Sequence, residues 1–375
     1  MEQNIQIENL CRILRREAAL LPQGGRLPAV REIMRRYGTH RGIVDAALKR
    51  LEEERLIVRR KRIGIFSRLA SSSVDLRALF CYVDWPSSTI REWVECAKQY
   101  VGSHSGWKLS LREIHAPDSF DRLDPSGHDA LIMVLNNRIM QDRSNLDWLS
   151  RLQLPAVVLD AELGFLPFST VRMNDSFGML DACRYLYSHG HRSVGYIRTE
   201  PKISGPPLLA DYFRKGAELL GMQIEVIESE VSYGEFSAEK SSECIQNYLE
   251  AHNGQLPFTA LFCESHDPAV AIAGRLLRCG IRIPEELSIM TRGGASFAPG
   301  PIPLTLIAAD FEREIAEVFD GLRQLVRKEI CCFRKYLPMR IVDRGSVAEV
   351  NSAFEQRRSL HDREISCPDK LNIIQ

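Results

Sequence analysis

The sequence predicts an α/β chain in two parts: a small helical unit ending in a β-hairpin, then a larger, two-lobed unit of parallel sheets. Three observations carry this. Apolar residues recur at helical spacing from residue 4 to residue 51, then give way to two short β-rich runs around a basic tetrapeptide. From residue 79 onward, apolar runs of strand length alternate with amphipathic helical stretches. Between these parts the chain turns small and polar, LASSSVD over 69–75. The expected organisation is a first domain at 1–69, a linker at 70–77, a main unit at 78–346 and a polar tail at 347–375. The tail lacks periodic apolar content and is expected to be poorly ordered.

The first helix is expected over 4–21, where Leu10, Ile13, Leu14, Ala18 and Leu21 keep one face, until Gly24-Gly25 ends it. Val30, Ile33, Met34 and Tyr37 then fall at i, i+3, i+4 and i+7. Gly38 breaks that stripe, and Thr39 is the expected N-cap of the next helix. There Val44, Ala47, Leu48 and Leu51 form the buried face, leaving His40, Arg41, Asp45 and Lys49 on the other. Two helices joined by a glycine turn make a helix-turn-helix, the second helix being free to enter a major groove. Residues 56–58 and 63–66 read as two strands, with Arg59-Arg60-Lys61-Arg62 as the basic hairpin tip.

On spacing alone the charged helix face reads equally well as a solvated surface. Charge decides between the two. Residues 1–69 hold 16 Lys/Arg against 8 Asp/Glu, while the remainder holds 33 against 41. A neutral chain thus hides a basic head on an acidic body, the asymmetry expected when one end meets a polyanion.

In the body, strand-like runs lie at 79–83, 109–114, 130–135, 156–159, 194–197, 224–227, 260–263, 287–290 and 304–308. Helical patterns lie at 90–101, 177–187, 208–220, 238–251, 270–278 and 311–326. This order predicts parallel sheets covered by helices on both faces, and so many strands suit two similar lobes better than one sheet. A ligand of such a fold sits beyond the carboxyl ends of the strands, in the crevice between lobes.

Other classes are disfavoured. No run of 18 apolar residues is present, so no membrane span is expected, and the N-terminus has no secretory pattern. The ten cysteines are scattered, with Cys331-Cys332 adjacent and no CxxC pair, which argues for a reducing cytoplasm and against zinc or disulfides. No nucleophile elbow, phosphate-binding glycine loop or metal cluster is found, so no cofactor, metal site or enzyme activity is expected.

In order, LPAVRE (27–32), YGTHRGIVDAALKRLEEERLI (37–57) and RIGIF (62–66) resemble the winged-helix domain of GntR-family transcriptional regulators, over roughly residues 4–68. The resemblance implies binding to double-stranded operator DNA. Arg31 and Arg41 would reach guanine edges or phosphates, Thr39, His40 and Lys49 would flank them, and Lys61, Arg62 and Gly64 would carry the wing into the minor groove. Departures are His40 and Gly42 for small hydroxyl residues, Ile43 for threonine and Arg62 for a wing glycine. An operator sequence therefore does not carry over.

A second resemblance covers roughly 78–346. LPAVVLD (154–160), VRMNDSFGMLDACRYLYSHGHRSVGYI (171–197), FTALFCESHD (258–267), LLRCGIRIPEELSIM (276–290) and PLTLIAADFEREIAE (303–317) resemble the effector domain of LacI-type regulators, which shares its fold with periplasmic sugar-binding proteins. The combination is similar to that of arabinose-type repressors. It implies a homodimeric regulator, a repressor, whose grip on a two-fold operator is set by a sugar, sugar acid or sugar phosphate held between lobes. By that resemblance the effector-binding residues are Asp84, Trp85, Asn174, Asp175, Phe213, His266 and Arg292. The site departs from the family: Ser265-His266 stands for Asn-Asp, Thr291-Arg292-Gly293-Gly294 for GFDD, Phe213 for an arginine, and Asn174-Asp175 for the reversed pair. With two acidic anchors replaced, a more cationic pocket and an acidic or phosphorylated effector are expected. Two alternatives stay open: a degenerate pocket that takes nothing small, and an enzyme fused to the DNA-binding head.

Overall fold

The structure is a computed structural model. It describes residues 2–21, 24–61, 63–68, 75–84, 86–115, 120, 123–134, 143–160, 168–201, 209–232, 235–352 and 354.

The head holds three helices, α1 (Glu2–Leu20), α2 (Val30–Arg36) and α3 (Arg41–Glu53). A three-stranded antiparallel sheet joins them, β1 (Arg26–Leu27), β2 (Ile57–Arg60) and β3 (Gly64–Ser67), in the order β1-β3-β2. The predicted apolar stripes meet in one core: Leu10 and Leu14 of α1, Ile33 of α2, Val44 and Leu48 of α3 and Ile65 of β3 are buried together. Gly38 sits in the turn at φ +57°, a left-handed conformation that a Cβ would strain. Two details differ from expectation. The N-cap of α3 is His40, without a side-chain cap bond, and Thr39 instead closes the turn through its N–H to the Met34 carbonyl. Arg59 and Arg60 are strand residues rather than hairpin tip, because Arg60 pairs across the ladder with Gly64.

The body has two six-stranded sheets. The first lobe runs β14-β8-β7-β6-β4-β5, built from β4 (Leu76–Val83), β5 (Trp107–Ile114), β6 (Ala130–Val134), β7 (Ala156–Leu159), β8 (Ser169–Met173) and β14 (Arg334–Leu337), all parallel. The second runs β10-β9-β11-β12-β13-β15, from β9 (Ser193–Arg198), β10 (Gln223–Glu228), β11 (Ala260–Cys263), β12 (Ser288–Gly294), β13 (Thr305–Ala309) and β15 (Arg340–Val342). Among the described residues of that lobe only the edge strand β15 is antiparallel. Central strands β6, β7 and β11 are buried at every position, as a sheet covered on both faces requires.

Helices α4 (Ser88–Ser103) and α10 (Phe311–Val326) pack on one face of the first sheet, and α5 (Arg143–Arg151) lies against the other. In the second lobe α6 (Asp175–Ser188) and α7 (Leu209–Leu219) cover one face, α8 (Ser237–Ala251) and α9 (His266–Arg278) the other. The chain crosses between lobes at β8 to α6, β13 to α10 and β14 to β15, so the two lobes share a hinge of three strands of chain.

Four stretches read differently in the sequence. β8 (STVRM) and α5 were not expected, and the basic strands β14 and β15 lack a strand-like apolar run. β4 begins at Leu76, inside the stretch expected to link the two parts, because Leu76 and Arg77 pair with Trp107 and Lys108. The start of the expected tail is docked: Val347 and Phe354 are buried, and the Val350 N–H donates to the His189 carbonyl at 2.8 Å. Residues 355–375 lie outside the described ones. The nine described cysteines are free, and among the described residues no helix is long and apolar enough to cross a membrane.

Candidate nucleic-acid interface and interlobe site

On α3, Arg41, Asp45 and Lys49 lie four residues apart and share one exposed face. Arg41 donates from Nε to Asp45 Oδ2 at 3.3 Å with its side chain 79% exposed, so its two terminal nitrogens stay available. Lys49 stands 3.8 Å from Glu53 and is equally open. Arg31 on α2 and His40 at the start of α3 are exposed, and Thr39 is half-buried in the turn. Arg31 has no carboxylate within ion-pair distance among the described residues. At the wing, Lys61 is exposed and Gly64 lies against Arg26, whose Nε would come within 2.9 Å of a Cβ there. Arg62 lies outside the described residues. Four other head arginines are tied down: Arg59 to Glu52, Arg50 to Glu8, Arg36 to Glu17 and Glu32, Arg15 to Glu54. Open positive groups thus lie on α2, α3 and the hairpin, while Arg12 on α1 and Arg55 and Arg68 beside the hairpin strands are exposed as well. Arg26, missed in the sequence reading, belongs with them because β1 places it beside the wing.

The second site lies where the carboxyl ends of both sheets face each other. Arg292, near the end of β12, donates from Nε to Asp175 Oδ1 at 3.0 Å and lies 3.8 Å from Asp160, which follows β7. Arg172 of β8 approaches the other Asp175 oxygen at 3.3 Å. Burial alone would lower the Arg292 pKa, but Asp175 and Asp160 outweigh it and hold the guanidinium charged. Beneath this pair Glu314 of α10 is wholly buried; its Oε2 accepts from Trp93 Nε1 at 2.7 Å and its Oε1 has no hydrogen-bond partner among the described residues. Burial pushes its pKa well up, with Asp160 adding to the effect.

On the same rim, Glu264 accepts from the Thr199 N–H at 3.1 Å, and Ser265 Oγ donates to Glu200. Burial, reinforced by Glu200, pushes Glu264 up to about 7. His266 is 4% exposed and packs edge-on to Phe297. Its neighbour Asp267 reaches the other lobe, accepting from the Ser88 N–H at 3.0 Å and the Ser88 hydroxyl at 2.6 Å. Ser296 Oγ donates to Glu92 across the same gap.

Of the residues expected here, Asp175, His266 and Arg292 are brought together around the hinge. Asn174 caps α6, accepting from the Phe177 N–H, and Asp84 pairs with His115 at 2.9 Å. Trp85 lies outside the described residues. Phe213 does not line the crevice: it is fully buried against Tyr196 and Phe262, because the apolar stripe of α7 turns it into the lobe core. The expected cationic character is also corrected. Asp160, Asp175, Glu200, Glu264, Asp267 and Glu314 gather at the strand ends, and Arg292 is committed to two of them. Asp160 was legible as the acid closing the LPAVVLD run, and Glu314 as the acid inside FEREIAE; neither spacing marked them as partners of Arg292.

Residues 14–66 match the bacterial regulatory proteins of the gntR family, and residues 183–347 match the periplasmic binding protein-like domain. The chain is thus similar to gntR-type regulators in its head and to binding-protein-like domains in its body. The head match covers α2, α3 and the hairpin, and the body match runs from α6 to the docked tail. Among curated proteins, the probable HTH-type transcriptional repressor ExuR of Bacillus subtilis (strain 168) is 23% identical over 185 residues, 49% of this chain and 53% of that one. The HTH-type transcriptional repressor CytR of Escherichia coli (strain K12) is 30% identical over 140 residues, 36% and 39% of the two chains. The chain therefore spans about half, or less, of the length of these relatives. A LacI family transcriptional regulator from Weissella paramesenteroides, solved with bound sucrose, aligns with 73% of this chain and 100% of its own at a TM-score of 0.58 and 21% identity. That likeness concerns the fold.

Proposed function

We propose that this protein is a transcriptional regulator, a repressor, which binds double-stranded operator DNA through its gntR-type head and answers to a small carbohydrate-related effector held between the lobes of its body. The observation that carries the reading is the cluster of open positive side chains, Arg26, Arg31, Arg41, Lys49 and Lys61, on one helix-turn-helix and hairpin. Phosphates bind such groups whatever the base sequence, and an arginine fork adds about 1–3 kcal/mol of discrimination where it meets guanine. The repressors ExuR and CytR, similar over part of their length, support this over an enzyme. The protein works in the cytoplasm as a homodimer, setting two heads on two half-sites of a two-fold operator. Asp84, Asp175, His266 and Arg292 face or support the effector site.

The effector is a neutral polyhydroxylated molecule. With Arg292 already held by Asp175 and Asp160, the crevice offers acceptor-rich groups for hydroxyls and little free positive charge for a phosphate. The sucrose held by the neighbour of similar fold agrees with that choice. An effector shifts DNA affinity only by as much as it prefers one arrangement of the lobes. A second reading, in which the crevice takes nothing small, is favoured by the contacts from Ser88 to Asp267 and from Ser296 to Glu92 that bridge it. One experiment separates them: thermal shift of the full chain against neutral sugars, sugar acids and sugar phosphates, followed by release of bound operator. A shift with neutral sugars supports the first reading, a shift with anions alone overturns the choice of effector, and no shift with any of them supports the second reading.

A further inference from the structure

Asp45 poses a problem for a helix that meets DNA. It lies on the exposed face of α3, one turn after Arg41 and one turn before Lys49, with its side chain 46% exposed. The other acidic groups near the reading helices are held by cations of the head: Glu52 by Arg59, Glu53 by Lys49, Glu54 by Arg15, Glu32 by Arg36. Asp45 is paired too, with Arg41 at 3.3 Å, but it is the one of these acids that stands a single turn along the same face from that arginine, where a carboxylate that met only phosphates would repel them.

We infer that Asp45 reads a base: Arg41 and Asp45 act as one two-headed reader, Arg41 on guanine and Asp45 on the cytosine of a neighbouring base pair. The chemistry selects the bases. An ionised carboxylate only accepts hydrogen bonds, and a guanidinium only donates. In the major groove guanine offers the acceptor pair O6 and N7, whereas cytosine offers the N4 amino donor. Adenine also has an amino donor, but its adjacent N7 acceptor repels a carboxylate. The geometry leaves both heads usable. The bond joining them uses Arg41 Nε and Asp45 Oδ2 at 3.3 Å, which spares the two terminal nitrogens of Arg41 and the Oδ1 of Asp45. One helical turn advances about 5.4 Å, so the two heads reach base pairs one or two steps apart. The pairing also lowers the cost of carrying Asp45 toward DNA, since Arg41 balances its charge.

This inference rests on the regulator reading, and the test keeps the two apart. Full-length wild type, Asp45→Asn, Asp45→Ala and Arg41→Ala are each used to select binders from a randomised duplex library. The wild type is expected to enrich a half-site with a guanine and, within two positions, a cytosine. Asp45→Asn is expected to turn that cytosine column toward adenine, because an amide can both accept from N6 and donate to N7. Asp45→Ala is expected to lose the cytosine preference about tenfold while keeping the guanine. The base contact is overturned if Asp45→Ala relaxes only the guanine column, which makes Asp45 a positioning residue for Arg41, or if both Asp45 variants enrich the wild-type motif unchanged. A wild type that enriches no sequence removes the regulator reading, and this inference with it.

Discussion

Asp267 caps a helix that belongs to the other lobe. Its Oδ2 accepts from the Ser88 N–H at 3.0 Å and its Oδ1 from the Ser88 hydroxyl at 2.6 Å, at the first turn of α4, where Ser87 makes no side-chain cap of its own. Helix N-termini leave backbone donors unsatisfied, so this one is completed only while the lobes meet. Losing a cap costs about 1 kcal/mol. Asp267→Ala should therefore let the lobes separate, read as a larger radius of gyration in small-angle scattering. Burial would raise this carboxyl, but the nearby His266 ring, 3.8 Å away, and the two bonds from Ser88 prevail and hold it at about 2, below its usual 3.8. A depressed carboxylate stabilises above its ordinary value and loses that contribution as pH falls through the folded one. The clasp should thus hold from neutral pH down to about 4 and loosen toward about 2. A scattering profile identical in wild type and Asp267→Ala contradicts the clasp.

Glu264 should give the opposite pH dependence. Its folded value of about 7 lies above the usual 4.5, so its contribution is present below the lower value and is lost as pH rises through the upper one. The urea midpoint of the body should fall between about pH 5 and about pH 8. Glu264→Gln keeps an acceptor for the Thr199 N–H and should flatten that decline. An unchanged slope in the variant contradicts the assignment.

The pair of Arg292 with Asp175 lies within the second lobe beside the hinge, and each side chain is mostly buried. Removing one partner of such a pair strands the other charge, at a cost of roughly 3–5 kcal/mol. Asp175→Asn should lower chemical stability by about that amount, and adding Arg292→Met should recover most of it. A single variant as stable as wild type contradicts the pairing.

In the head, Arg31→Ala and Arg41→Ala should weaken operator binding and relax sequence preference. Lys61→Ala should instead weaken all duplexes alike and reduce the salt slope by about 0.9, the share of one phosphate contact. Anisotropy titrations at several salt concentrations distinguish these behaviours. An Arg31→Ala/Arg41→Ala double variant with wild-type operator affinity contradicts the role of these residues.

Much of the fold was legible because burial imposes a period. The stripes Val30-Ile33-Met34-Tyr37 and Val44-Ala47-Leu48-Leu51 became α2 and α3, and the all-apolar runs ending at Leu159 and Cys263 became central strands. What stayed hidden lies at edges and hinges. RKYL and RIV are strands only because β8 and β13 offer them a free edge, and STVRM hides its register behind polar residues. The crevice was harder still. Arg292 stood out as an odd residue for its motif, yet its charge could be assigned only with Asp160 and Asp175 in place, 132 and 117 positions earlier in the chain. Pairing over such separations leaves no local pattern, which is why a cationic pocket was expected and an acid-rich one with a committed arginine was found.

The central claim, that a basic head grips duplex DNA, is tested most directly by the affinity of the full-length chain for genomic duplex fragments as salt is raised. The account predicts binding that weakens linearly in log–log form with a slope of several units, as several phosphate contacts demand. No measurable affinity for any duplex at low salt, or an affinity indifferent to salt, would contradict it.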